Sequence, residues 1–431
     1  MQWRTLRSHR PHRSWGAAFL MLALVGMFMS ACGNTNASQQ VTLTFSSWQG
    51  GAAGDAYQAV IKSFEKAHPN ITIDYQVAAA TDYTTLLNTR FAAGDAADIV
   101  AFSPTSYNKA PYVKAGDLLD LSDQPWVSHI QPAAKITAAD PNDPSKIYAL
   151  PTVQDIGGVI YNKDLFAKYN IQIPTTWDQF LQACATLKAH GVAPITVGAK
   201  DGWPLEQFLY NMLANTAYRT DPNFSAEQAA GTATYSSSAG WKQALTDLVG
   251  LAKAGYFNTG FSSTDFAGTQ PLLATGKAAM EVNGDYTLAP TEADNPNIHL
   301  GLFPLPYGIT SSSTPANLTT SVDVTLAIAA KSKHPTEAKE FLQYFAQPDV
   351  MASFLTQRQG LGVLDNVGKY NVDPALSSDL SLLSTQATNE AVFGTTSNVE
   401  TTMWKDAQAI LTGTETPDQM LQDMDAAYKG Q

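Results

Sequence analysis

The chain has 431 residues, 44% hydrophobic and 15% charged, enough for two domains of ordinary size with their own cores. Its formal net charge is −12; Arg4, Arg7, Arg10 and Arg13 precede Cys32 with no acid among them, so the remainder carries 22 basic and 38 acidic residues, a net of −16. Such an acidic body argues against nucleic acid or an anionic membrane surface as direct partner and favours a neutral or cationic ligand, although local pocket charge can override the total.

The first 32 residues read as a targeting segment. A basic stretch precedes the uncharged run WGAAFLMLALVGMFMSA and then Cys32. That run is near the lower limit for a membrane-spanning helix, so a plain amino-terminal anchor is the alternative. Met29-Ser30-Ala31-Cys32 resembles a bacterial lipobox, with Met29 in place of the usual Leu. The resemblance implies lipidation at Cys32. GNTNASQQ (33–40) then suits a flexible tether. Only Cys184 remains beyond it, so no intramolecular disulfide is expected. Phe180, Leu181 and Leu187 lie at helical spacing around Cys184, which makes it a core thiol rather than a nucleophile.

VTLTFSSW (41–48) begins with strand alternation, and YQAVIKSFEKAHPN follows with Tyr57, Val60, Ile61 and Phe64 on one helical face. ITIDYQV (71–77) is the next strand. This order predicts an α/β lobe with a largely parallel sheet. DYTTLLNTRFAAG reads as a helix and DIVAF as a buried strand, with Asp98 as a turn or capping residue. DPNDPS (140–145) is a turn cluster, short of the spaced carboxylates of a calcium loop.

In IYALPTVQDIGGVIYNKDLF (147–166), Leu150-Pro151 ends one extended run and VIYN begins another. Between them lie Asp155 and Gly157-Gly158. Proline fixes φ, and glycine permits backbone closed to other residues. The stretch suits either a crossing between two bodies that carries one carboxylate, or an ordinary loop between strands. Beyond it, Thr176 is placed as a helix N-cap and Gly191 as a stop. APITVG reads as a strand, SAGWKQALTDLVGLAKAGYF as a helix, and AAMEV as a strand ending in a turn at Asn283-Gly284. SVDVTLAIAAKS (321–332) is a further strand, and the segment from Met403 onward is helical.

Four stretches carry a family resemblance: the 147–166 segment, RFAAGDAADIVAFSP (90–104), FAGTQPLLATGKAAMEVNGDYTLA (266–289) and LAIAAKSKHPTEAKEFLQYFAQPDV (326–350). Taken in chain order, they resemble bacterial solute-binding proteins of ABC importers, in the sugar-binding group typified by maltose-binding protein. The resemblance implies a periplasmic-binding-protein-like α/β fold. Two lobes would be joined by hinge crossings, the first formed by 41–152 with 325–368 and the second by 153–324 with 369–431. It implies a monomer without cofactor, lipid-anchored outside the cytoplasmic membrane. Such a protein captures a carbohydrate by lobe closure and hands it to permease subunits.

Chemistry of other kinds finds no motif. There is no HExxH or paired-Cys metal spacing, and no GxSxG elbow. ATGKAA fails as a phosphate loop because Pro271 stands five before Gly276 and Ala278 follows Lys277.

A sugar cleft needs ring faces for the C–H surfaces, with carboxylates or amides for the hydroxyls. Ligands of open α/β sheets bind beyond the carboxyl ends of strands, which singles out Trp48 with Gln49, Phe102 with Ser103, and Asp285. By resemblance, Asp155 matches a hinge-region acid that hydrogen-bonds sugar. Trp203 and Trp404 match aromatic positions of the cleft, and Tyr286 stands where Trp is usual. Asp323 lies in the second crossing and either meets the ligand or braces the hinge. Each aromatic has core packing as its alternative, Phe102 most of all. Three other functions remain open: a binding protein for a polyol or glycerol phosphate, an extracellular glycoside hydrolase, and a ligand-sensing partner of a receptor.

Overall fold

The computed structural model describes residues 40–429 except 104–108, 141, 377–379 and 384. Cys32 and residues 33–39 of the tether lie outside the described residues. The strands are β1 (Val41–Ser47), β2 (Ile71–Val77), β3 (Ile99–Phe102), β4 (Ala139–Asp140), β5 (Asp143–Ile147), β6 (Ala149–Asn162), β7 (Ala193–Thr196), β8 (Ala278–Gly284), β9 (Leu300–Phe303), β10 (Leu318–Ile328) and β11 (Ala387–Asn389). β4 and β5 form a separate hairpin. The others make one sheet ordered β2-β1-β3-β10-β6-β8-β7, with β9 on β6 and β11 on β10.

Two strands run through both lobes. β6 pairs with β10 through residues 149–157, then with β8 and β9 through 157–162. Cores lie on either side of this change of partner. One gathers Leu43, Phe45, Phe64, Phe341 and Phe354 around β1 to β3 and the outer parts of β6 and β10. The other gathers Phe180, Phe208, Trp241, Met280 and Met403 around β7 and β8. Cys184 is fully buried in that second core. The sheet is mixed rather than largely parallel. β1, β2 and β3 are parallel, whereas β10 returns antiparallel to both β3 and β6.

Residues 147–166 hold no loop between two strands. β6 is continuous over 14 residues. Its glycines serve close approach rather than turning. A Cβ on Gly157 would lie 2.0 Å from Thr319 Oγ1, and one on Gly158 would lie 2.9 Å from the Phe303 carbonyl oxygen. Likewise Asn283-Gly284 makes no turn, because β8 extends through Gly284 and pairs both residues with the β6 glycines. Thr176 does cap its helix, accepting from Gln179 N, and Gly191 follows that helix at φ 75°.

The proline is accommodated by an irregularity. Pro151 sits opposite Thr325 where the β6–β10 register shifts, so its missing N–H falls where the ladder is already broken. A second shift leaves Asp323 without a strand partner between Val322 and Val324. Such a bulge re-aims its side chain.

Candidate functional site between two unlike walls

A cavity of about 580 Å³ opens beside the crossing strands. Trp48 and Gln49, just past β1, form part of its first-lobe wall together with Ser103, just past β3. Gly50 to Ala53 add to that wall at the start of the helix Gly51–Ala67, as do Ala80 and Gln357. The first N–H groups of a helix have no intrahelical acceptor and are available to a ligand. Trp48 leans on Tyr83, with ring centroids 5.3 Å apart, and Tyr83 donates to the carbonyls of Ser46 and Ala101. Gln49 is held by Tyr75, whose hydroxyl donates to its carbonyl at 2.7 Å.

The second-lobe wall is aromatic and acidic. Trp203, Phe266 and Tyr286 form a three-ring cluster with centroids 4.7, 5.9 and 6.0 Å apart. The Tyr286 hydroxyl donates to Asn283 Oδ1 at 2.6 Å, and Asn283 Nδ2 donates to Glu281 Oε1 at 2.9 Å. Trp404 is oriented by a second chain. Its indole N–H donates to Glu206 Oε2 at 2.5 Å, while Tyr210 donates to Glu206 Oε1 at 2.6 Å. Gly202, at φ 79°, lets the helix Trp203–Leu213 start against Trp404, whose Cβ would lie 2.6 Å from an added methyl. Gln207, Gln270, Glu206 and Glu390 supply the polar atoms between the rings. Burial pushes both Glu206 and Glu390 up to about 7, with Glu206 adding to the effect at Glu390.

At the seam, Arg358 is buried and donates to Asp155 Oδ2 at 3.1 Å and Asp323 Oδ2 at 3.0 Å. Gln49 Nε2 also donates to Asp323 Oδ2, at 2.9 Å. Burial raises Asp155 to about 7, against the pull of Arg358. Asp285 lies beside it and is held well above the usual carboxylate range, first by burial and then by Asp155.

The structure brings Trp48, Gln49, Ser103, Trp203, Tyr286, Asp323 and Trp404 to the cavity. It does not bring Phe102, Asp155 or Asp285 there. Phe102 is fully buried among Phe91 and Tyr112, because the last residue of β3 turns its side chain into the sheet's helix-covered face. Asp155 and Asp285 stand behind the wall, 2% and 1% exposed, answering Arg358 and each other. Asp323 lines the cavity and also pairs with Arg358 and Gln49 at the crossing. Sequence reading missed Glu206, Gln207, Phe266, Gln270, Arg358 and Glu390. Glu206 had a local signal, lying three residues after Trp203 on the same helix face.

Residues 48–352 match the family described as bacterial extracellular solute-binding protein. The chain belongs to this family. It is 24% identical over 348 residues to the multiple sugar-binding protein of Streptococcus mutans, covering 79% of this chain and 81% of that one. It is 25% identical over 338 residues to the melibiose/raffinose/stachyose-binding protein of Bacillus subtilis, covering 76% of each. The fold matches a sugar transporter from Bacillus licheniformis in complex with stachyose at TM-score 0.75 and 24% identity, over 90% of this chain and 99% of that one. As in this extracytoplasmic family, the two α/β lobes are joined by crossing strands.

Proposed function

We propose that the protein captures a carbohydrate in this cavity by closure of its lobes and delivers it to the membrane subunits of an ABC importer. Relatives named for multiple sugars and for raffinose-type oligosaccharides support the ligand class. The observation that carries the reading is the second-lobe wall, where the rings of Trp203, Phe266, Tyr286 and Trp404 alternate with Glu206, Gln207, Gln270 and Glu390. Ring faces suit sugar C–H surfaces, and the acids and amides suit hydroxyls. A phosphorylated ligand fits poorly. Among the described residues, Arg358 is the one basic side chain in the wall, and Asp155 and Asp323 already engage it. Solute binding needs no reaction, so no catalytic pair is assigned.

Closure would pivot on β6 and β10, and a ligand touching both walls would favour the closed arrangement. Lipidation at Cys32 would hold the protein at the outer face of the membrane, within reach of its permease. A thermal-shift screen over mono- and oligosaccharides tests the ligand class, since a ligand bound only to the native state raises the melting temperature. At least one oligosaccharide should give a saturable rise. A rise with glycerol phosphate or polyols and none with any sugar would overturn the reading.

A further inference from the structure

Away from the cavity wall, the last two helices, Ser397–Thr412 and Pro417–Lys429, are joined by a short turn and pack through Met403, Ala407, Met420 and Met424. Three carboxylates converge there. Oxygens of Asp406 on the first helix, Glu415 in the turn and Asp423 on the second helix lie within 4.8 Å of one another. Asp406 is fully buried, and its Oδ2 receives no hydrogen bond. Glu415 Oε1 is also buried without a partner. Asp423 accepts from Gln419 at 2.8 Å. The cation beside them is Lys405, whose exposed ammonium lies 3.1 Å from Asp406 Oδ1. Three carboxylates face one ammonium, and only Asp406 among them is fully buried. An uncompensated buried charge is costly, so the cluster calls for a countercharge.

We infer that Asp406, Glu415 and Asp423 form a calcium site that clips the last two helices together. The donors are all carboxylate oxygens, the chemistry of a hard divalent cation. Calcium sits about 2.3–2.6 Å from each oxygen and tolerates irregular geometry, so it spans a separation of this size without rearranging the side chains. The half-exposed positions of Glu415 and Asp423 leave room for water to complete the shell. In an extracytoplasmic protein, affinities of roughly 10⁻⁴–10⁻³ M suffice. The carboxylates are nine and eight residues apart, a spacing that matches no linear calcium loop. The site also anchors the helix that presents Trp404, two residues before Asp406.

The test uses protein stripped with EDTA and titrated with calcium chloride, followed by calorimetry and by melting temperature. One calcium per chain should bind, and the melting temperature should climb with calcium concentration. Asp406→Asn should take up none and melt at a temperature indifferent to calcium. Glu415→Gln, at a partly exposed side chain, should show the same loss and stands in if the buried substitution fails to fold. Absence of uptake and of any melting shift at millimolar calcium would overturn the site and leave a proton on Glu415 as the countercharge. Retention of full uptake by the variants would overturn it too.

Discussion

The first lobe meets the cavity with Trp48, Gln49, Ser103 and a run of glycine and alanine backbone, whereas the second meets it with four rings and several acids or amides. The second wall is also the more firmly prepared. Tyr286 is tied through Asn283 to Glu281, and Trp404 is tied through Glu206 to Tyr210. Among the described residues, the first wall offers the ring of Trp48 and the open end of a helix. On the proposed function, the difference predicts a division of labour: the second lobe should select and orient the ligand, and the first should cover it. Preorganised contacts lose less entropy on binding, so most of the affinity should reside in the second wall.

The largest effect is expected at the seam that joins the two walls. Arg358→Met leaves Asp155, Asp323 and Asp285 without their cation. Breaking a buried pair from one side costs about 3–5 kcal/mol, which urea denaturation of the variant should register. A loss below 1 kcal/mol, by the same measurement, would mean the crossing is braced by something other than this network.

Next comes Glu206→Gln. The amide can still accept from one partner, but the charged acceptor shared by Trp404 and Tyr210 is gone. Hydrogen bonds to charged groups contribute about 1.5–3 kcal/mol, so sugar affinity should fall on the order of tenfold or more. Stability without ligand should hold or rise, because a buried acid has been removed. Trp48→Ala on the opposite wall should cost less, about fivefold in affinity, since the helix end beside it stays in place. If the Trp48 change proves the costlier of the two, the proposed division between the walls is reversed.

The smallest effect concerns pH. Glu281 is fully buried behind Tyr286, and burial pushes its carboxyl up to about 7 from 4.5. A raised carboxyl favours the folded state while it holds its proton. Its contribution is therefore complete below pH 4.5 and is lost as pH rises through about 7. Glu281→Gln should melt higher than the parent at pH 8 and show no such advantage at pH 5. An advantage that is the same at both values would show that Glu281 does not change its charge in this range.

How far the sequence could be read follows from where each signal is local. Strand alternation, helical faces and the Thr176 cap are written in consecutive residues, and those elements stand where the pattern puts them. The pair at 283–284 suggested a turn that β8 does not make, and the pair at 157–158 fell at the crossing, but the reason for both is a neighbouring strand far away in the chain. Nothing near Gly157 announces Thr319. Asp155 and Asp285 were singled out as acids beside glycines, yet what determines their surroundings is Arg358, some 200 residues from Asp155. The aromatic wall was half legible. Trp203, Tyr286 and Trp404 stood out as rings in polar loops or helix starts, while Phe266 and Gln270 join them only through the fold of the intervening helix.

The central claim is that a carbohydrate is held against the rings of the second lobe. Calorimetric titration decides it most directly, with the sugar that gives the largest melting shift added to the parent protein and to the double variant Trp203→Ala/Trp404→Ala. Circular dichroism of the unliganded variant establishes that it is folded. The account predicts one sugar bound per parent chain and no measurable heat from the folded double variant. A folded double variant that binds the same sugar with the parent's affinity would contradict it.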